Sequence, residues 1–132
     1  MRIGIDIVEI SKIKDTEPGP SVISGFLSEV FDSNIPFELH ELAKWIAVNE
    51  AVFKSLSPRS QKNFQGVEFY SLKTRYLVLP RRHHKSLYLL LTKIQLSVSH
   101  TEDLVIAVAI SRKSFLNPIS LFLQGNYPRK SI

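Results

Sequence analysis

Glu50 falls in line with Ala43, Ile46 and Phe53 at helical spacing, so a carboxylate interrupts an otherwise apolar stripe. A carboxylate entering a core face is costly unless a partner, a hydrogen bond or a cation balances it. Lys54 lies one turn later, and the plainer reading is an exposed i,i+4 pair worth roughly 0.2–0.5 kcal/mol. Asp6 interrupts a second apolar run, between Ile5 and Ile7, where an acidic residue has poor strand propensity. Taken alone, it is most simply a solvent-facing residue of a one-sided sheet. Taken with Glu50, it suggests a magnesium site, because Mg²⁺ commonly binds one or two carboxylates and leaves its other positions to phosphates and water. His100 opens a polar turn with Thr101, Glu102 and Asp103. A histidine there is usually a turn residue, but it also has the chemistry to donate to a phosphate or move a proton near neutral pH.

Other chemistries find no support. The chain has no cysteine, so disulfides, thiolate nucleophiles and cysteine-bound metals are excluded. His83-His84 reads as part of a basic face, and no zinc-ligand spacing is present. There is no phosphate-binding glycine loop and no Gly-x-Ser-x-Gly elbow.

The elements that must position these residues follow from periodicity. Ile3 to Ile7 alternates and predicts a strand, with Ile3, Ile5 and Ile7 on one side and Gly4 and Asp6 on the other. A short helix is expected within Val8–Lys14, ended by Pro18-Gly19-Pro20, and a second, ambiguous one within Ser21–Val30. The clearest helix spans about 36–56, with Pro36 at its start, Glu38 and Glu41 suiting its dipole and Ser57-Pro58 closing it. Val67–Leu72 and Arg75–Leu79 form an expected hairpin. Arg82–Lys93 looks helical. Ile94–Ser99 and Leu104–Ile110 predict two antiparallel strands around the polar turn. A last short helix is expected between Pro118 and Gly125. The fold class is α+β: a small antiparallel sheet packed on a long central helix, with a domain over residues 1–111 and a C-terminal extension over 112–132.

Composition sets the wider bounds. At 132 residues with 44% hydrophobic content, the chain is long enough for one domain with a real core. Residues 1–68 carry seven Lys or Arg against ten Asp or Glu, whereas residues 69–132 carry ten against two. The basic second half points to an anionic partner such as nucleic acid, an acidic protein or a phosphorylated cofactor, or else to a solubilising surface. No run is long enough to span a membrane and no signal peptide is evident, so a soluble cytoplasmic protein is expected.

Taken in order, the polar positions lie in three blocks that resemble one family. Gly4-Ile5-Asp6-Ile7-Val8-Glu9-Ile10-Ser11-Lys12-Ile13 resembles the GIDIVEISRI signature of holo-acyl-carrier-protein synthases, which are 4′-phosphopantetheinyl transferases. The run Leu42-Ala43-Lys44-Trp45-Ile46-Ala47-Val48-Asn49-Glu50-Ala51-Val52-Phe53-Lys54 is similar to their central helix. Leu96-Ser97-Val98-Ser99-His100-Thr101-Glu102, followed by Ala107-Val108-Ala109-Ile110, is similar to their third block. The resemblance implies the 4′-phosphopantetheinyl transferase-like fold and a homotrimer with sites at its interfaces. It also implies transfer of the 4′-phosphopantetheine arm of coenzyme A to a serine of an acyl carrier protein, by default in fatty-acid biosynthesis. By motif match, Asp6 and Glu50 would hold Mg²⁺. Lys54 would contact phosphate and steady Glu50, Ser99 and His100 would sit at the nucleotide phosphates, and Lys12 would face the acidic carrier. Glu50, Lys54 and His100 would carry the catalysis.

The chain also departs from that pattern. Trp45 stands where the family has arginine and Asn49 where it has lysine, so two cations expected to meet coenzyme A are missing. Lys44 lies about 100° round the helix from Trp45 and is no obvious substitute. Ser57-Pro58-Arg59-Ser60 replaces the family's glycine-rich turn. Two other readings therefore stand beside the transferase: a non-catalytic or weakly active descendant of the same fold, and a basic nucleic-acid-binding module, which charge alone supports.

Overall fold

A computed structural model of the chain describes residues 1–14, 20–31, 38–80, 91 and 93–112. Along the chain come β1 (Arg2–Glu9), α1 (Ile10–Lys14), α2 (Pro20–Phe31), α3 (Leu39–Ser55), α4 (Pro58–Gln61), β2 (Val67–Ser71), β3 (Tyr76–Pro80), β4 (Gln95–His100) and β5 (Leu104–Ser111). The first, fourth and fifth strands form an antiparallel sheet in the order β1-β5-β4, and β2 and β3 form a separate hairpin. The expected α+β class, with an antiparallel sheet on a long central helix, is the observed one. The helices expected within Arg82–Lys93 and Pro118–Gly125 lie outside the described residues, apart from Leu91 and Lys93.

The long helix starts later than expected. Glu38 is its N-cap rather than an interior residue: its backbone is extended and its side chain accepts from the Glu41 N–H at 3.0 Å. That bond satisfies a donor left over in the first turn and holds the exposed Glu38 carboxyl below its ordinary range. At the other end Ser57 caps the next helix, with Pro58 in its first position, so the chain cannot continue straight.

β1 turns its polar side inward. Ile3, Ile5 and Ile7 are about half exposed, while Gly4 is buried against α3. A Cβ built at Gly4 would collide with the Ala51 carbonyl and lie 2.8 Å from the Ser55 N. Only glycine permits this approach, and it brings the Asp6 side of the strand onto the helix. The core between sheet and helix is then filled by Leu42, Val48, Ala51, Val52, Val105, Ala107 and Ala109. Pairing of Ile7 with Ile106 and of Ile5 with Val108 continues the apolar character of the outer face across the sheet.

Candidate active site

Asp6 and Lys54 meet where β1 crosses the last turn of α3. Lys54 Nζ lies 3.1 Å from Asp6 Oδ1 and also donates to the Ile5 carbonyl at 3.2 Å. The Asp6 side chain is 18% exposed and that of Lys54 48%, so the pair sits at the mouth of the sheet–helix seam. Lys54 therefore holds Asp6 rather than Glu50, contrary to the expected i,i+4 pair. The reason is the β1–α3 contact at Gly4, which delivers a carboxylate and a backbone carbonyl together to the lysine.

Glu50 does not enter the core. It is exposed, one helical turn or about 5.4 Å before Lys54, on the edge of α3. The helix face buried in the core runs through Leu42, Val48, Val52 and Ser55 instead. Beside Glu50 a cavity of about 450 Å³ opens, lined by Leu27, Trp45, Ile46, Asn49, Phe53 and Phe64 as well as Glu50. Phe53 and Phe64 meet edge to face at 5.4 Å, and the Gln61 side chain donates to the Phe53 carbonyl. Among the described residues lining this aromatic groove, Glu50 is the one formal charge.

His100 and Ser99 end β4 on opposite faces of the sheet. His100 is in register with Val105, itself opposite Val8, which puts it on the helix-facing side with Asp6. It stands two strands, about 10 Å, across the sheet from β1, too far to share one small ion with Asp6 but within the span of an extended substrate. Ser99 pairs with Ile106 on the outer face, away from Asp6. Lys12 is exposed on α1 and pairs with Glu9 at 2.9 Å, a contact that raises its pKa through the hydrogen bond and the carboxylate's charge.

Both departures from the family pattern are built into the fold. Trp45 and Asn49 are only 6% and 7% exposed. Asn49 donates to the Trp45 carbonyl at 2.9 Å and accepts from the Val67 N–H at 2.8 Å, joining α3 to the start of β2. Lys44 pairs with Glu41 and leaves the position of Trp45 uncompensated. Periodicity alone did not reveal Asn49 as a link between elements. An asparagine in mid-helix was the available signal, because its amide competes for backbone partners. Asp103 was missed too: its Oδ1 accepts from the Ser11 N–H and its carbonyl from the Ile10 N–H, tying the β4–β5 turn to the start of α1.

Among the described residues there is no cluster of three or more metal-ligating side chains. Asp6, and Glu50 one helical turn from Lys54, carry carboxylates, hard oxygen ligands of the kind Mg²⁺ accepts when phosphate and water complete its shell. No helix among the described residues is long and apolar enough to cross a membrane.

No family model matches the chain. A Schizosaccharomyces pombe protein provisionally named holo-[acyl-carrier-protein] synthase is 33% identical over 128 residues, covering 83% of this chain and 94% of the relative. The crystal structure of Helicobacter pylori holo-[acyl-carrier-protein] synthase in complex with coenzyme A is 24% identical, with a TM-score of 0.56, and the match covers 83% of this chain and 99% of that one. The Plasmodium yoelii holo-ACP-synthase structure is 23% identical, with a TM-score of 0.53, over 83% of this chain and 92% of that one. At these identities the two structures bear on the fold.

Proposed function

The chain belongs to the holo-acyl-carrier-protein synthase family, and on that premise we propose that it transfers the 4′-phosphopantetheine group of coenzyme A to a serine of an apo acyl carrier protein. The observation that carries the reading is the junction of Asp6 and Lys54, with Glu50 one turn away. These three side chains occupy the motif positions that the family's first and second blocks supply.

The serine hydroxyl attacks the phosphorus bearing the pantetheine arm, a new P–O bond forms, and the P–O bond to 3′,5′-ADP breaks. Displacement of this kind depends on positioning and on neutralising charge at the phosphoryl oxygens. Lys54 supplies a cation held in place by a carboxylate and a carbonyl. Asp6 and Glu50 would hold Mg²⁺, which when bound supplies further neutralisation of the diphosphate. The serine proton passes to Glu50 or to water beside it. His100, at the far side of the same face, would meet the more distant phosphate of an extended nucleotide.

The outer face of the sheet supports the homotrimer. Ile3, Ile5, Ile7 and Ile106 present contiguous apolar surface of a kind a soluble chain usually covers. Packing a neighbouring subunit there would also bring Ser99 to an interface. Lys12 and the basic second half suit an acidic carrier, with that of fatty-acid biosynthesis the expected acceptor.

Incubation with coenzyme A, Mg²⁺ and an apo carrier, followed by mass spectrometry of the intact carrier, tests the proposal. A gain of one phosphopantetheine group is expected. An unchanged carrier mass, with the protein folded and coenzyme A in excess, would favour the non-catalytic descendant.

A further inference from the structure

We infer that Asn49 is a positioning residue, which sets the groove beside Glu50 by clamping β2 to α3; its effect on the reaction rests on coenzyme A being the donor. Two contacts of opposite polarity define its role. Its Nδ2 donates to the Trp45 carbonyl and its Oδ1 accepts from the Val67 N–H, both in a buried setting.

Val67 is fully buried and follows Gly66, whose φ of 95° lies in the left-handed region. The chain therefore turns sharply into β2 directly at the point where Asn49 grips it. Upstream, Phe64 lines the groove edge to face with Phe53, and the Gln61 side chain ties that end to the Phe53 carbonyl. Residues 61–67 are thus pinned to α3 at both ends, by Gln61 and by Asn49. Releasing the Asn49 end frees Phe64 to move, and the groove loses its width without any change in the Asp6–Lys54 pair.

An amide is what this position requires. Lysine has donors but no acceptor, so it would leave the Val67 N–H buried without a partner. Leucine has neither. Aspartate keeps the acceptor toward Val67 but turns an oxygen, in place of a donor, on the Trp45 carbonyl, so it holds only half of the clamp. The family's lysine therefore cannot simply be restored here, because the side chain at 49 has been turned into the fold.

The test uses hydrogen exchange at the Val67 amide, coenzyme A affinity read from the emission of Trp45, the chain's single tryptophan, and turnover at saturating donor. In Asn49→Leu, Val67 exchange should accelerate about ten- to a hundredfold while Val52 stays protected. Affinity should weaken by about tenfold or more, with kcat within about threefold of wild type. In Asn49→Asp, Val67 protection should fall less than in Asn49→Leu, since the acceptor is kept, while stability drops because the donor to the Trp45 carbonyl is replaced by a buried carboxylate oxygen. A Val67 amide that stays protected in Asn49→Leu, or a coenzyme A affinity in that variant within about threefold of wild type, would overturn the inference. Wild type that protects Val67 yet does not bind coenzyme A would overturn the donor reading and the effect on affinity, leaving only the clamp.

Discussion

Gly4→Ala is expected to lower the free energy of unfolding by about 3 kcal/mol or more. The added methyl meets the Ala51 carbonyl and the Ser55 N, both backbone atoms of α3 that no rotamer change can move aside. The strand must then lift from the helix, opening the seam filled by Ala51, Val52, Ala107 and Ala109. Chemical denaturation measures the effect as a lower midpoint with an unchanged slope. A loss below about 1 kcal/mol would mean that β1 and α3 are not in the contact described. Any Gly4→Ala protein that remains folded should also have lost activity, because the same displacement moves Asp6 from Lys54.

Lys54→Met is expected to reduce transfer by about 10²–10³-fold while changing stability by no more than about 1 kcal/mol. The methionine keeps most of the aliphatic stem and removes the cation that faces Asp6 and the Ile5 carbonyl. The small stability term follows from exposure: an ion pair with one half-exposed partner is worth little in water. The large kinetic term follows from use, since a fixed cation beside a phosphoryl group acts most strongly on charge that develops in the transition state. Steady-state kinetics on an apo carrier, with a melting curve on the same sample, separates the two. A variant that keeps activity within about tenfold would remove Lys54 from the reaction.

Periodicity located most of the elements because each buries one face. The alternation in Ile3–Ile7 and the apolar run Leu104–Ile110 predict strands that the structure contains, and Ser57-Pro58 ends α3 as expected. Which face of β1 turns inward was not legible, because the isoleucines look like core residues from the sequence alone, although they are about half exposed. The deciding fact is the close approach at Gly4, and that depends on residues nearly fifty positions later. The same contact redirected Lys54 from Glu50 to Asp6. Likewise Glu50 seemed to intrude on a core stripe, whereas Ile46 and Phe53 line an open groove with it. The family blocks pointed to Asp6, Glu50, Lys54 and His100, but spacing along one helix did not show what Asn49 does, because its acceptor role is fulfilled eighteen residues away at Val67.

Asp6, in the middle of β1, and Glu50, in the last third of α3, are proposed to serve one phosphate-bound cation. Titrating isotope-labelled protein with Mn²⁺ in the presence of coenzyme A, and following paramagnetic broadening residue by residue, tests that arrangement directly. The predicted result is broadening centred jointly on Asp6 and Glu50, extending to Lys54 and absent from both when either carboxylate is replaced by its amide. Broadening centred elsewhere, or surviving unchanged in both Asp6→Asn and Glu50→Gln, would contradict it.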